Sequence, residues 1–257
     1  MTAPHDAPPG LLTLLRSALF NLLFFGVTAG AVLLGLLLLP FPRRLTRRHA
    51  QGWAHLMLWL LRVVCGIRVR VTGREYLPTG PAVIAAKHQS AFDTIIWLAL
   101  LPDPVYVLKK ELLRIPVWGT VARKYGAVAV DRAGGARALK QMVREAAAAA
   151  AEGSQIIIFP EGTRTSPGQR VSYQPGVVAL GAAVGRPIIP AATDSGLFWG
   201  RRAFAKRPGT LTVALLPPLP MGLPRAALLA RMEEAIETES LRLLPDDYPV
   251  PVDNSVG

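Results

Sequence analysis

Cysteine and acidic residues are both scarce in this sequence. Cys65 is the only cysteine among 257 residues, so the chain cannot close an internal disulfide, which fits a reducing compartment. Only 17 residues are Asp or Glu, against 29 Lys and Arg, which gives a formal net charge of +12. This imbalance predicts acidic partners: phosphates, anionic lipid surfaces or acidic proteins.

Several motifs that would explain such a charge, or assign a catalytic class, are missing as well. The sequence has no zinc-finger spacing, helix-turn-helix signal, RNP-like aromatic strand or lysine-rich tail, so we expect no nucleic-acid partner. It has no GxSxG elbow, which argues against a lipase-like hydrolase. No His, Cys and Asp cluster has ligand spacing, so we predict no metal site.

Charged residues are absent between positions 17 and 42, where the run LLFFGVTAGAVLLGLLLL dominates. A helix needs about 20 apolar residues to cross a bilayer, so this segment is long enough to span. Gly26 and Gly30 also permit a re-entrant hairpin, and both arrangements stay open. Four arginines follow in FPRRLTRRHA, and by the positive-inside rule they face the cytoplasm. We therefore predict a membrane-bound protein with its bulk on the cytoplasmic side.

The next segment, AQGWAHLMLWLLRVVCG, is apolar but interrupted by polar side chains. Trp53 and Trp59 are candidate interfacial anchors, which favours a second helix lying in the headgroup region. A core helix of the globular part is the alternative. We thus predict a disordered start at 1–10 and membrane-associated helices over 11–66.

Beyond this point short apolar runs alternate with longer helical ones. Runs such as VIAA, AVAV and IIIF predict strands buried on both faces, hence an α/β fold with a largely parallel sheet flanked by helices. The predicted strands are 68–72, 82–86, 104–108, 126–130, 155–159, 188–193 and 210–216. The predicted helices are about 90–101, 112–124, 135–151, 175–185 and 224–243. One domain covers 67–244, and the Pro-rich tail 245–257 is expected to be loose.

The stretch KHQSAFD follows the second predicted strand. Ser90 and Asp93 fit a helix capping box, which explains both without chemistry. It does not explain His88, at the carboxyl end of a buried strand, where open α/β sheets bind ligands. Asp93 can accept a hydrogen bond from one imidazole nitrogen, which leaves the other free to take a proton. The pair is a candidate general base with its orienting carboxylate.

Three further strand ends bring polar side chains to the same edge. These are Lys109 and Lys110 in LKKELLRIPVWG, Asp131 and Arg132 in GAVAVDR, and Glu161, Gly162, Thr163 and Arg164 in IIIFPEGTRT. Each set also has an explanation without function: the lysines can simply be exposed, and the oppositely charged residues can form local ion pairs. Together, cations beside a candidate base predict a phosphate-binding site.

A basic stripe recurs at helical spacing on the Ala-rich helix predicted at 135–151. Its members are Arg137, Lys140 and Arg144. The stripe suits anionic lipid, an acidic carrier protein or plain solvent, and the sequence does not choose among them.

The motifs KHQSAFD, KKELLRIPVWG, GAVAVDR, FPEGTRT and IIPAA, in this order, resemble those of the glycerolipid acyltransferase family. The resemblance covers about residues 80–195. Many members have Asn before the motif histidine, where this chain has Lys87. Motif two usually has a bulkier interior, where this chain has Ala129.

The resemblance implies a role for each candidate residue. His88 would take a proton from the acceptor hydroxyl, with Asp93 holding its tautomer, and the oxygen would attack an acyl thioester. No acyl-enzyme is implied, so Ser90 is a cap rather than a nucleophile. The implied substrate-binding residues are Lys109, Arg132 and Arg164 for the acceptor phosphate, Glu161 for the glycerol part, Gly162 for close backbone approach, and Thr163 beside them.

The implied reaction moves an acyl group from acyl-CoA or acyl carrier protein to the sn-2 hydroxyl of 1-acylglycerol 3-phosphate (lysophosphatidic acid). Its product, phosphatidic acid, feeds phospholipid synthesis, and no cofactor is implied. The nearest alternative is an acyltransferase for another acceptor, such as a lyso-ornithine lipid or another lysophospholipid. An alternative of another class is a non-catalytic membrane protein that binds anionic lipid, which has no use for His88.

Overall fold

The computed structural model describes residues 8–249, so the predicted disordered start and loose tail lie largely outside it. Within these residues seven strands form one sheet. They are β1 (Ile67–Thr72), β2 (Ala82–Ala86), β3 (Pro104–Lys109), β4 (Val128–Val130), β5 (Gln155–Ile158), β6 (Ile188–Thr193) and β7 (Gly209–Leu215). The strand order is β1-β7-β6-β2-β5-β3-β4, and every neighbouring pair is parallel except β6 and β7. The predicted, largely parallel α/β sheet is confirmed.

Eight α-helices surround this sheet in the described part of the chain. They are α1 (Leu11–Leu37), α2 (Arg43–Leu60), α3 (Asp93–Leu100), α4 (Trp118–Tyr125), α5 (Gly135–Ala151), α6 (Gly176–Val184), α7 (Ser195–Phe198) and α8 (Arg225–Arg242). The central strands β2, β5 and β6 are buried along their whole length. Their unbroken apolar runs are therefore explained by helices covering both faces of the sheet.

Two of the differences from the predicted boundaries have a clear local reason. The helix expected at 112–124 is a 3₁₀ turn (Lys110–Arg114) followed by α4. Pro116 separates them, because proline lacks an N–H and disfavours helical geometry at the residue before it; Ile115 is accordingly extended. Strand β4 starts at Val128 rather than 126, because Gly126, in a left-handed conformation (φ +102°), ends α4.

Helix α1 has the length and hydropathy of a membrane-crossing helix. Its apolar side chains are mostly exposed: Leu22 by 72% and Phe25 by 68%, for example. One side nevertheless packs on the α/β part, where Phe20 is fully buried. Gly35 contacts α4 so closely that an added Cβ would lie 2.9 Å from Cγ1 of Val121. Much of the outer surface of α1 is therefore left for another apolar environment.

Helix α2 packs along α3 and joins the same core as the sheet. Ala54, Met57 and Leu60 are buried in that core, as the alternative interpretation of this segment expected. The opposite side exposes Trp59 by 57% of its surface. Contact of α2 with lipid headgroups, and the division of the chain at 66/67, stay predictions.

Candidate active site

His88 and Asp93 meet at the carboxyl end of β2. Nδ1 of His88 lies 3.1 Å from Oδ2 of Asp93. The same oxygen accepts the backbone N–H groups of Gln89 and Ser90, each at 2.7 Å. Asp93 therefore closes the loop and orients the imidazole with one atom. The predicted capping box is present only in part: Asp93 accepts the Ser90 N–H, but α3 begins at Asp93 with Phe92 as its N-cap, which makes no side-chain capping bond. Because Oδ2 accepts, the proton belongs on Nδ1, and Nε2 has the free lone pair.

The Ser90 hydroxyl is fully buried. Its Oγ accepts the backbone N–H of Phe92 at 3.1 Å, at the start of α3. This contact, two residues along the chain, stabilises the turn before α3, whose N-cap is Phe92, and a buried hydroxyl in this position is not presented to a substrate.

The His88 ring lies on the aromatic face of Phe159, the residue after β5. The ring centroids are 4.0 Å apart and the planes are inclined by 16°. The side chain stays 12% exposed, and it borders a cavity of about 800 Å³. Stacking and the Asp93 contact together fix the imidazole at the cavity wall.

This main cavity joins two chemically different ends. Apolar side chains from α1 to α4 line one part of it, among them Ala31, Val32, Trp53, Leu98 and Val121. Its polar end contains the cations Lys109, Arg164, Arg201 and Arg202, together with Gly162 and Thr163. An amphiphile with an acyl chain and an anionic headgroup matches this division.

Arg164 lies between an acid and a like charge. Burial lowers the pKa of its guanidinium, Asp93 opposes that shift, and Arg201 adds to it. Nη1 of Arg201 also donates to the backbone oxygen of Arg164 at 3.3 Å. Two guanidiniums held together at a cavity wall favour the binding of an anion between them.

Sequence reasoning missed Arg201 and Arg202, because they belong to none of the recognised motifs. They follow α7, which was also not predicted. Arg202 adopts a left-handed conformation with φ 57°, which is uncommon and strained for a residue with a side chain. The adjacent pair of arginines after a strand-end loop was the one available signal.

Glu161 was expected to position the glycerol part of the acceptor, but its carboxylate does not reach the main cavity. Its side chain is fully buried, and Oε2 accepts the backbone N–H of His88 at 2.9 Å. Oε1 lies 3.0 Å from Nζ of Lys87 and accepts the Thr165 hydroxyl at 3.1 Å. Burial raises the pKa of Glu161 to about 7, against the opposing effect of Lys87. Glu161 thus stabilises the loop that carries His88 by accepting a hydrogen bond from its backbone.

Lys87, the departure from the family pattern, is 1% exposed and carries its own partners. Nζ lies 2.7 and 2.8 Å from the two carboxylate oxygens of Glu237 on α8. The Tyr173 hydroxyl donates to the same carboxylate at 2.7 Å. This buried network ties the last helix to the histidine loop.

The other expected residues are divided between two places. Lys109, at the end of β3, is exposed and borders the main cavity. Lys110 instead forms an ion pair with Asp131 at 3.2 Å and does not border that cavity. Gly162 has φ +67°, where only glycine is unstrained, and its backbone borders the cavity. The structure describes the backbone of Arg132 but not its side chain, so its role stays a prediction. Among residues 8–249 no group of three or more His, Cys, Asp or Glu could hold a metal ion.

Comparisons with known proteins agree on one family. A family model described as Acyltransferase matches residues 68–194. A 1-acyl-sn-glycerol-3-phosphate acyltransferase of Pseudomonas aeruginosa is 37% identical over 209 residues, 79% of this chain and 80% of the relative. One of Limnanthes douglasii is 30% identical over 224 residues, 85% of this chain and 79% of the relative.

A solved structure supports the fold. The 1-acyl-sn-glycerophosphate acyltransferase of Thermotoga maritima superposes with a TM-score of 0.71 at 21% identity. The match covers 89% of this chain and 97% of that one. The chain belongs to the acyltransferase family that includes the 1-acyl-sn-glycerol-3-phosphate acyltransferases.

Proposed function

We propose that this protein transfers a fatty acyl group from a thioester to the sn-2 hydroxyl of 1-acylglycerol 3-phosphate, giving phosphatidic acid. The observation that carries the proposal is a single cavity bordered by His88, by four cations and by an apolar passage. Two relatives named for this activity match 79% and 85% of the chain. The reaction needs a base, an anion site and room for an acyl chain, and the side chains that line this cavity suit each of these needs.

The proton transfer follows from the His88 geometry. The acceptor hydroxyl gives its proton to Nε2 while its oxygen forms a bond to the thioester carbonyl carbon. Asp93 stabilises the resulting imidazolium through Nδ1. The carbon–sulfur bond then breaks, and the imidazolium returns the proton to the departing thiolate. The carboxylate and the base thus carry the whole step without an acyl-enzyme.

The acceptor phosphate is assigned to the polar end of the main cavity. Lys109 and Arg164 come from the recognised motifs, and Arg201 and Arg202 supplement them. A hydrogen bond to a charged group contributes about 1.5–3 kcal/mol. Two such contacts suffice to favour a phosphorylated acceptor strongly over a neutral one.

The membrane is the proposed source of the acceptor, with the catalytic part on the cytoplasmic side. Helix α1 supplies an exposed apolar surface, and side chains of α1 and α2 line part of the cavity. Of the four arginines that start α2, Arg43 and Arg47 bind Glu152 and Asp103 of the α/β part. Arg44 and Arg48 stay exposed and are free to meet anionic headgroups.

The test is an acyl-transfer assay with the purified full chain in phospholipid vesicles. We expect phosphatidic acid from 1-acylglycerol 3-phosphate, and none from a His88→Ala sample. A lyso-ornithine lipid and lysophosphatidylcholine serve as competing acceptors, and preferential use of either would replace the proposed acceptor. Vesicle binding without transfer to any acceptor would instead favour the non-catalytic lipid-binding protein.

A further inference from the structure

The loop that carries Arg201 and Arg202 is closed at its base. The backbone N–H of Arg207 donates to the backbone oxygen of Phe198 at 2.8 Å, so the chain leaves α7 and returns to the same point before β7 begins. We call residues 199–206 the arginine loop. Both of its arginines border the polar end of the main cavity. The position of the arginine loop therefore decides where half of the cations of that end lie.

Trp199, at the start of the arginine loop, packs on the first helix. Its ring forms T-shaped contacts with Phe20 and Phe24 of α1, at centroid distances of 5.4 and 5.5 Å. Trp199 is 7% exposed, and Phe20 is fully buried. Because such pairs stabilise a contact beyond the burial of their area, one end of the arginine loop is fixed on α1.

Lys206, at the other end of the arginine loop, is bound to α1 as well. Its backbone N–H donates to Oγ of Ser17 at 2.9 Å, and its ammonium donates to Oδ1 of Asn21. The same ammonium donates to the backbone oxygen of Phe204 at 2.9 Å, and Nδ2 of Asn21 donates to that oxygen at 3.4 Å. The Asn21 side chain thus binds both the ammonium and the backbone of the arginine loop.

Lys206 is a buried cation whose partners are neutral. It is 3% exposed, and no Asp or Glu among residues 8–249 forms an ion pair with it. Its Nζ lies 5.1 Å from the centre of the Trp199 ring and 5.9 Å from that of Phe20, and such aromatic faces attract a cation. A buried ammonium is costly without hydrogen-bond acceptors. Any other placement of the arginine loop on α1 would take these acceptors away, so the contact specifies one placement.

Between its two attachment points the arginine loop has little other support. Nη1 of Arg201 donates to the backbone oxygen of Arg164, but at 3.3 Å this contact is long. Arg202 has φ 57°, a conformation that persists only where the surrounding structure holds it. The positions of both guanidiniums therefore depend on the attachment of the loop ends to α1.

We propose that Asn21 and Lys206 are positioning residues for the acceptor phosphate. By joining the arginine loop to α1, they hold Arg201 and Arg202 at the polar end of the main cavity. The inference rests on the proposed acyl transfer and on the assignment of the acceptor phosphate to that end. Among the described residues that border the main cavity, neither Asn21 nor Lys206 is present, so both act through the arginines. Helix α1, the proposed anchor, thus also completes the acceptor site.

The first experiment measures acyl transfer by Asn21→Ala, as the full chain in phospholipid vesicles. Alanine is well tolerated in a helix, so the variant should fold. We expect its KM for 1-acylglycerol 3-phosphate to rise about tenfold, because the phosphate contacts of the arginines weaken. The kcat and the KM for the acyl thioester should not change. Asn21→Asp keeps the accepting oxygen and should retain the wild-type KM. The matched control is Leu22→Ala, which truncates the next, exposed side chain of α1 and should behave as wild type.

A double-mutant cycle separates positioning from a general loss of stability. In the background Arg201→Ala/Arg202→Ala, the further change Asn21→Ala should not raise the KM again, because the groups through which Asn21 acts are gone. Lys206→Met tests the same contact from the loop side, since it removes the ammonium and keeps an apolar chain between the aromatic rings. It should show the same rise in KM and the same dependence on the two arginines.

An unchanged KM in both Asn21→Ala and Lys206→Met would overturn the inference. An equal rise in KM with and without the two arginines would also overturn it, and so would a fall in kcat at constant KM. These results leave the proposed acyl transfer intact, because they are all measured against an active wild type. Absence of phosphatidic acid from the wild type with every thioester would instead overturn the proposed function, and this inference with it.

Discussion

Lys87 and Glu237 form a buried ion pair between the residue before His88 and α8, with Nζ 2.7 Å from Oε1. Glu237 lies outside the family match at 68–194, whereas Lys87 lies inside it. Lys87 is thus paired with a residue from a distant part of the chain. Through Glu161, which accepts the His88 N–H, the pair also fixes the histidine loop.

Loss of the Lys87 ammonium should strongly lower the free energy of unfolding. Lys87→Met leaves Glu161 and Glu237 buried without their shared cation, and breaking such a pair costs about 3–5 kcal/mol. Chemical unfolding in detergent measures this loss. The double variant Lys87→Met/Glu237→Gln should recover part of it, because one uncompensated carboxylate is gone. A stability loss no greater than that of Lys110→Met, at the exposed pair with Asp131, would contradict the prediction.

The raised pKa of Glu161, about 7, predicts a pH-dependent stability. The folded protein holds this proton between about pH 4.5 and 7, where the unfolded chain has released it. The Glu161 contribution to stability is therefore complete below pH 4.5 and falls as the pH rises to 7. Relative to Glu161→Gln, the wild type should lose at most about 3 kcal/mol over this range. If the difference in unfolding free energy between the two proteins does not change with pH, Glu161 does not titrate in this range.

The cations of the main cavity predict a change in acceptor selectivity. Arg164→Ala and Lys109→Ala should each raise the KM for 1-acylglycerol 3-phosphate about tenfold or more, since each removes a charged contact. Arg201→Ala/Arg202→Ala should act in the same direction. A monoacylglycerol acceptor without phosphate should show no such rise, and the exposed Arg186→Ala serves as the control. Equal effects on both acceptors would remove these residues from the phosphate site.

The exposed side of α1 predicts how the protein is anchored. Leu22→Lys/Phe25→Lys places two charges on that side, at a cost of about 2.5–3.5 kcal/mol each if it faces the bilayer centre. Flotation with vesicles should show release of this variant but not of Leu22→Ala/Phe25→Ala. Activity on a short-chain, water-soluble acceptor should persist. Unchanged flotation of the lysine variant would mean that α1 is not the principal anchor.

Deletion of 1–66 would be a poor test of anchoring. Phe20, Met57 and Leu60 belong to the same core as the sheet, so the deletion would expose that core. Loss of large buried side chains costs about 2–5 kcal/mol each. The truncated chain should therefore unfold rather than form a soluble enzyme.

The sheet was predictable because its strands are continuous apolar runs, and such runs are typical of parallel strands covered on both faces. The His88–Asp93 pair was predictable because five positions separate the residues at a strand-to-helix turn. The break at Pro116 was also readable from its missing N–H, but the amphipathic run around it was taken as one helix.

The remaining features depend on tertiary contacts that no local pattern reports. Glu161 was assigned to the substrate because its motif neighbours border the cavity, yet its carboxylate faces Lys87. Glu237 lies far from the motifs in sequence and Arg201 lies beyond the last of them, and only the fold brings them to the site. The residues next to a charged side chain in the sequence do not show whether a distant helix will bury it.

The most direct test of the central claim is the turnover of His88→Ala with 1-acylglycerol 3-phosphate and an acyl thioester in the same vesicles as the wild type. Circular dichroism and flotation establish that the variant is folded and membrane-bound, and the exposed His55→Ala controls for loss of a histidine. We predict a kcat reduced by at least about 10²-fold, because the base is gone. A kcat equal to that of the wild type would contradict general-base catalysis by His88.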